Sequence, residues 1–218
     1  MNATANTSNP FYRASNGTGA TDAWTVCFWM KRETTGNNSE QTIISFGGSD
    51  QANEGRVQIW YDGNNSNERI EMRYGTDNNY LQFQTPVSTV PANTWFHVVV
   101  TYDGGTTGVS SGSISDYYSR FEIWIDGVSQ TLTTSNSNYG YSGEIVADFF
   151  RIARNCSAGN YLRRTRLDEV AIWEGDETAN VSSIYNSGTT HDLALLASPP
   201  DHYYRMGDGD TFPTIQDN

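Results

Sequence analysis

Few residues in this 218-residue chain have types and spacing that could do chemistry. Glu122 and Asp126 stand four apart in Phe121-Glu122-Ile123-Trp124-Ile125-Asp126-Gly127, so strand alternation places both acids on one face. Paired carboxylates cleave glycosidic bonds when one is the acid and the other the base or nucleophile. Asp-Gly, however, is also the pair a type I′ hairpin uses, because both central residues need positive φ. Asp126-Gly127 is therefore read as a turn, and no catalytic residue is assigned. Asp208-Gly209-Asp210 begins like a calcium loop, but Phe212 and Pro213 stand where the next ligand and the glycine belong. His97, His191 and His202 are scattered, and no nucleophile motif, phosphate loop or zinc spacing occurs.

Two constellations remain. In Leu167-Asp168-Glu169-Val170-Ala171-Ile172-Trp173, alternation puts Asp168 on the side of Val170 and Ile172, at the start of an apolar stripe. A carboxylate there must accept hydrogen bonds or bind a metal. The face opposite the core stripe would carry Trp60, Arg73, Gln82, Gln84, His97 and Trp124. Aromatic rings beside amides hold sugars, stacking on the apolar ring face and hydrogen-bonding the hydroxyls. Such a face is equally one that a loop or another subunit covers.

The elements that position these residues are short strands. Alternating segments recur at 24–30, 42–46, 56–61, 70–74, 81–84, 95–102, 121–125, 148–153 and 167–173, separated by Gly, Asp-Gly and Asn-rich turn signals. Asp62-Gly63, Asp103-Gly104 and Asp126-Gly127 mark strand ends as hairpin turns. Helical periodicity is confined to Thr178–Tyr185, a short connector stopping near Gly188. Segments 1–9 and 104–119 are polar or Gly/Ser-rich and read as loops, and Pro199-Pro200 breaks the chain into a final extended piece. The expectation is one domain over 1–198, with residues 199–218 an extended segment packing on it or on a neighbour.

Composition limits the partners. With 13 Lys+Arg against 25 Asp+Glu the net charge is −12, which repels phosphate backbones and excludes nucleic acid. No apolar run approaches the ~20 residues that span a bilayer, and Met1–Pro10 lacks a signal core. Cys27 and Cys156 alone do not make a disulfide framework and are expected to be buried thiols.

Several blocks in order carry a family resemblance: Trp24-Thr25-Val26-Cys27-Phe28-Trp29-Met30-Lys31, then Asn93–Gly104, Phe121–Gly127, Arg166–Trp173 and Ile184-Tyr185-Asn186-Ser187-Gly188. The set is similar to laminin-G-like and pentraxin domains of the concanavalin A-like lectin/glucanase superfamily. The resemblance implies an all-β fold, a two-sheet antiparallel jelly-roll β-sandwich with one short connector helix. It also implies a structural Ca²⁺ at Asp168, whose counterpart in related domains often holds one. The pentraxin disulfide cannot form, since the 95–102 strand has no cysteine, and the Glu-x-Asp-x-x-Glu spacing of laminarinase-type glycosidases is missing. The ending Tyr203–Asp210 resembles laminin-G-like modules of bacteriophage structural proteins. The expected function is a non-catalytic adhesive module of a virus particle, on the virion surface and oligomeric within it. Its partners would be other virion proteins and cell-surface glycans. The alternative is an extracellular carbohydrate-binding module of a secreted bacterial enzyme or adhesin.

Overall fold

The computed structural model describes residues 23–33, 40–50, 52–104, 119–134, 145, 149–155 and 161–207. Cys156, the 104–119 loop beyond Gly104 up to Ser119, and Asp208–Asp210 lie outside them. Twelve strands among the described residues form two antiparallel six-stranded sheets. Sheet A runs β12 (His202–Tyr204), β11 (Thr165–Trp173), β1 (Trp24–Arg32), β6 (Phe96–Tyr102), β7 (Phe121–Ile125), β8 (Val128–Ser129). Sheet B runs β10 (Phe149–Ile152), β2 (Glu40–Gly47), β3 (Arg56–Asp62), β4 (Arg69–Gly75), β5 (Tyr80–Gln84), β9 (Thr133–Thr134). The one α-helix among the described residues, α1, is Val181–Tyr185, preceded by a 3-10 turn at Thr178–Asn180. The two-sheet sandwich with its connector helix is the architecture the family resemblance implies, and its strands are those that alternation marks.

The sheets face each other across the core. Val26, Phe28, Val98, Val100 and Ile123 of sheet A meet Phe46, Val57, Ile59, Met72 and Phe83 of sheet B, all at most 1% exposed. Aromatic rings lock the layers in specific geometry: Trp24 meets Phe46 edge-on at 5.3 Å, and Phe83 meets Phe121 at 4.9 Å.

Turn chemistry departs from expectation at two of the three Asp-Gly pairs: β6 ends at Tyr102 and β7 begins at Phe121, so Asp103-Gly104 closes no two-residue hairpin. Asp126 (φ 49°) and Gly127 (φ 73°) close β7 onto β8 with both φ values positive, the type I′ hairpin that Asp-Gly predicts. After β3 the Asp-Gly pair behaves differently. Gly63 has φ −100° and leads into a 3-10 turn, because the Asp62 carboxylate accepts from the Asn64 N–H at 2.9 Å and the Asn67 side chain at 2.7 Å. Those bonds build a wider connection than a two-residue turn.

The outer face of sheet A is buried in part by its own layer. Cys27, Val99, Ala171 and Trp173 pack under Val181 and Ile184 of α1, Leu193 and Tyr203. Apolar side chains on both faces of β6 and β11 follow from that double cover.

Candidate functional site

On sheet B the residues that alternate out of the core align in rows across the strands. Thr42, Trp60, Glu71 and Gln84 form one row, and Ser45, Gln58, Arg73 and Gln82 the next. Arg56, Gly75 and Tyr80 form a third. Trp60, Arg73, Gln82 and Gln84 are thus neighbours on one face, as alternation implies.

His97 and Trp124 are not. They lie on the outer face of sheet A, where His97 is 1% exposed and Trp124 packs against the layer under α1. Period-two spacing fixes the face of a strand but not its sheet, so the six-residue face divides between two sheets. Burial, and secondarily His191, pushes the His97 imidazole down to about 3, so the ring stays neutral at ordinary pH.

Asp168 also departs from its expected place. Cys27 pairs with Ala171 and Trp29 with Asp168, so a β-bulge opposite Phe28 takes up one extra residue on β11. Glu169 adopts φ 50° there. The bulge reverses the alternation, and Asp168 stands beside Trp29 on the outer face of sheet A and not on the stripe of Val170 and Ile172. Its Oδ1 accepts from the Glu169 N–H at 3.0 Å. Among the described residues no group of three His, Cys, Asp or Glu side chains is placed to hold a metal.

The sheet B face is a connected polar network. Arg73 donates to Gln82 Oε1 from Nε at 3.3 Å and from Nη2 at 3.0 Å, and Gln82 Nε2 donates to Glu71 at 3.1 Å. Arg69 bridges Glu71 at 2.6 Å and Asp62 at 3.0 Å. Burial pushes the Glu71 carboxyl up to about 7, opposed by Arg69 and reinforced by Asp62. The Arg73 guanidinium lies 4.1 Å from the Tyr80 ring centroid and 5.6 Å from that of Trp60. Asp77 joins Arg73 and Arg56, and Gln58 joins Asn155.

A pocket of about 170 Å³ opens in this network, lined by Arg56, Gln58, Trp60, Arg73, Asp77 and Asn155 among others. Three polar atoms on the face have no hydrogen-bond partner among the described residues: Arg56 Nη1, Trp60 Nε1 and Gln84 Oε1. Arg56 is 1% and Trp60 5% exposed, so each unmatched donor is held away from bulk water, a state that costs free energy until an acceptor arrives. Sequence reasoning missed Arg56, Gln58, Glu71 and Asp77. The signal for the first three lay in the same alternation: Arg56 and Gln58 precede Trp60 at steps of two, and Glu71 precedes Arg73.

The arrangement matches known folds. The carbohydrate-binding module (CBM40) of the Ruminococcus gnavus IT-sialidase, solved bound to α2,3-sialyllactose, superposes with a TM-score of 0.50 at 11% identity, over 77% of this chain and 84% of that one. A putative carbohydrate-binding protein from Bacteroides ovatus gives 0.54 at 17% identity, over 90% of this chain and 49% of that one. The NanB sialidase of Streptococcus pneumoniae gives 0.52 at 14% identity, over 81% of this chain and 25% of that one. The fold is that of lectins and carbohydrate-binding modules. No curated protein sequence matches significantly. The model of the concanavalin A-like lectin/glucanases superfamily matches residues 6–180, most of the chain, and the protein belongs to that superfamily.

Proposed function

We propose that this chain is a non-catalytic carbohydrate-binding module whose sugar-facing surface is the outer face of sheet B. The observation that carries the reading is the set of unmatched atoms there, two donors and one acceptor. A hydroxyl both donates and accepts, so a polyol satisfies all three, whereas an anion would leave Gln84 Oε1 unmet. Arg56 and Trp60 are four residues apart on one strand, roughly 13 Å, and Trp60 and Gln84 are two strands apart, about 10 Å. That spread suits an oligosaccharide laid across the strands. Asp62 is filled by Asn64, Asn67 and Arg69, and Asp126 accepts from the His97 N–H of β6, so neither serves as an acid or base.

The bacterial modules among the structural neighbours favour this role, exercised outside a cell, over that of a virus-particle component. Those neighbours add no weight to virion partners or to oligomerisation in a particle. The test is a glycan array followed by calorimetry with Trp60→Phe, which removes the indole donor and keeps an aromatic ring. Loss of one hydrogen bond should weaken binding about 3- to 10-fold. No sugar retained by the intact chain, or binding indifferent to Trp60→Phe and to Arg73→Ala, overturns the reading.

A further inference from the structure

A second cavity lies on the other sheet, away from the sugar face of sheet B. Trp29 of β1, Trp95 just before β6, Asp168 of β11 and the loop Gly188, Thr189, Thr190 line a depression of about 380 Å³. Small-molecule pockets run from about 300 to 1,000 Å³, so this one is large enough for a ligand of one or two rings. The bulge that moves Asp168 off the core stripe is what brings its carboxylate to the register position opposite Trp29.

The two indoles differ in freedom. Trp29 is fixed from behind, its ring 5.0 Å from His97 and 6.3 Å from Tyr185, and His97 is itself buried. Trp95 is 38% exposed, one of five large apolar side chains left at the surface among the described residues. A rigid inner indole with an exposed outer one is a platform on which a flat apolar face can settle without ordering the protein first. Around it stand a carboxylate and two threonine hydroxyls, and among the described residues no Arg, Lys or His lines the cavity.

From this combination we infer a second binding site, for a neutral pyranoside, at the Trp29–Trp95–Asp168 pocket. The C–H face of the ring stacks on indole, and adjacent hydroxyls donate to Asp168 and exchange hydrogen bonds with Thr189 and Thr190. A carboxylate in a lining that holds no Arg, Lys or His among the described residues disfavours sugars bearing a carboxylate or sulfate. A quaternary ammonium ligand would answer the carboxylate but leave both threonine hydroxyls without a partner. The inference rests on the carbohydrate reading of this chain but concerns a separate surface. With the two sites on opposite faces of the sandwich, one chain would join two glycan strands, and weak sites would gain through avidity.

The experiment is calorimetry and tryptophan-indole NMR of the full chain with neutral gluco-, galacto- and manno-oligosaccharides, α2,3-sialyllactose and choline. Trp95→Ala, Asp168→Asn and Trp60→Phe are compared. The expected result is a neutral oligosaccharide whose binding shifts the Trp29 and Trp95 signals. It loses about tenfold or more in affinity with Trp95→Ala and with Asp168→Asn, and is unchanged at this site by Trp60→Phe. Because Trp95 is exposed, its replacement leaves the core intact. Saccharide binding that responds only to Trp60→Phe overturns this inference and leaves the sheet B reading standing. Absence of any saccharide binding overturns both. Choline shifting the Trp95 signal while neutral sugars do not overturns it in favour of a cation site.

Discussion

The backbone N–H of His97 donates to the Asp126 carboxylate at 2.8 Å, while the Asp126 N–H donates to the His97 carbonyl at 2.9 Å. This reciprocal pair anchors the β7–β8 hairpin to the start of β6, and it consumes the acid that stood nearest to a glycosidase pair with Glu122. Asp126 holds φ 49°, a conformation that Asn and Asp tolerate better than Ala. Asp126→Ala should therefore cost about 1–2 kcal/mol and Asp126→Asn distinctly less. Chemical denaturation measures both, and equal stability of the two variants would contradict the pairing.

Gly127 extends the same argument to side-chain space. A Cβ there would lie 2.5 Å from Cδ1 of Tyr185, and φ is +73°. Gly127→Ala must shift the tyrosine that backs the Trp29–His97 stack, so it should cost about 1–3 kcal/mol. It should also alter Trp29 fluorescence. A variant as stable as the parent, with unchanged emission, would show that Tyr185 moves freely.

The fold is legible in the sequence because β1 and β7 alternate cleanly: Val26, Phe28 and Met30 inward, and Phe121, Ile123 and Ile125 inward. The bulge at Glu169 is not, since one inserted residue leaves hydrophobic composition unchanged and only reverses the facing of the residues on its far side. That is why alternation alone puts Asp168 on the wrong side. The covered outer face of sheet A can be suspected from Val98-Val99-Val100, where an apolar residue at every position means burial on both faces. The division of Trp60 and Trp124 between two sheets cannot, because strand order is set by long-range pairing and not by local period.

Cys27 tests that second layer. The thiol is buried, and burial pushes its pKa well above the usual range, which keeps it protonated and unreactive. In a Cys156→Ser background, the native chain should resist a maleimide for hours and react stoichiometrically in denaturant. Fast labelling in the native state would mean that the cover formed by α1 opens readily.

Displacement of Asp168 from the core changes the expectation for calcium. The expectation rests on the family counterpart of Asp168 and on a carboxylate needing compensation inside an apolar stripe; on the outer face of sheet A, where the Glu169 N–H donates to it, that second reason falls away. Excess chelator should leave the melting temperature unchanged within about 1 °C. A fall of several degrees, restored by Ca²⁺ and lost with Asp168→Asn, would place the ion there, with backbone carbonyls and water supplying the remaining oxygens.

Glu71 gives the pH dependence. Its carboxyl rises from the usual 4.5 to about 7, chiefly through burial. A raised folded-state pKa means that the folded chain holds a proton which the unfolded chain has already released between those values. The associated stability is complete below about pH 4.5 and is lost as pH climbs to 7, then constant. The loss should be on the order of 1–3 kcal/mol. Glu71→Gln keeps the shape and the acceptor for Gln82 but cannot ionise, while Arg69 retains Asp62 at 3.0 Å. The variant's melting curve should therefore be flatter from pH 4.5 to 7, and the variant should gain on the parent above pH 7. Parallel pH profiles for parent and variant would show that water reaches Glu71 and that the buried network on sheet B is open to solvent.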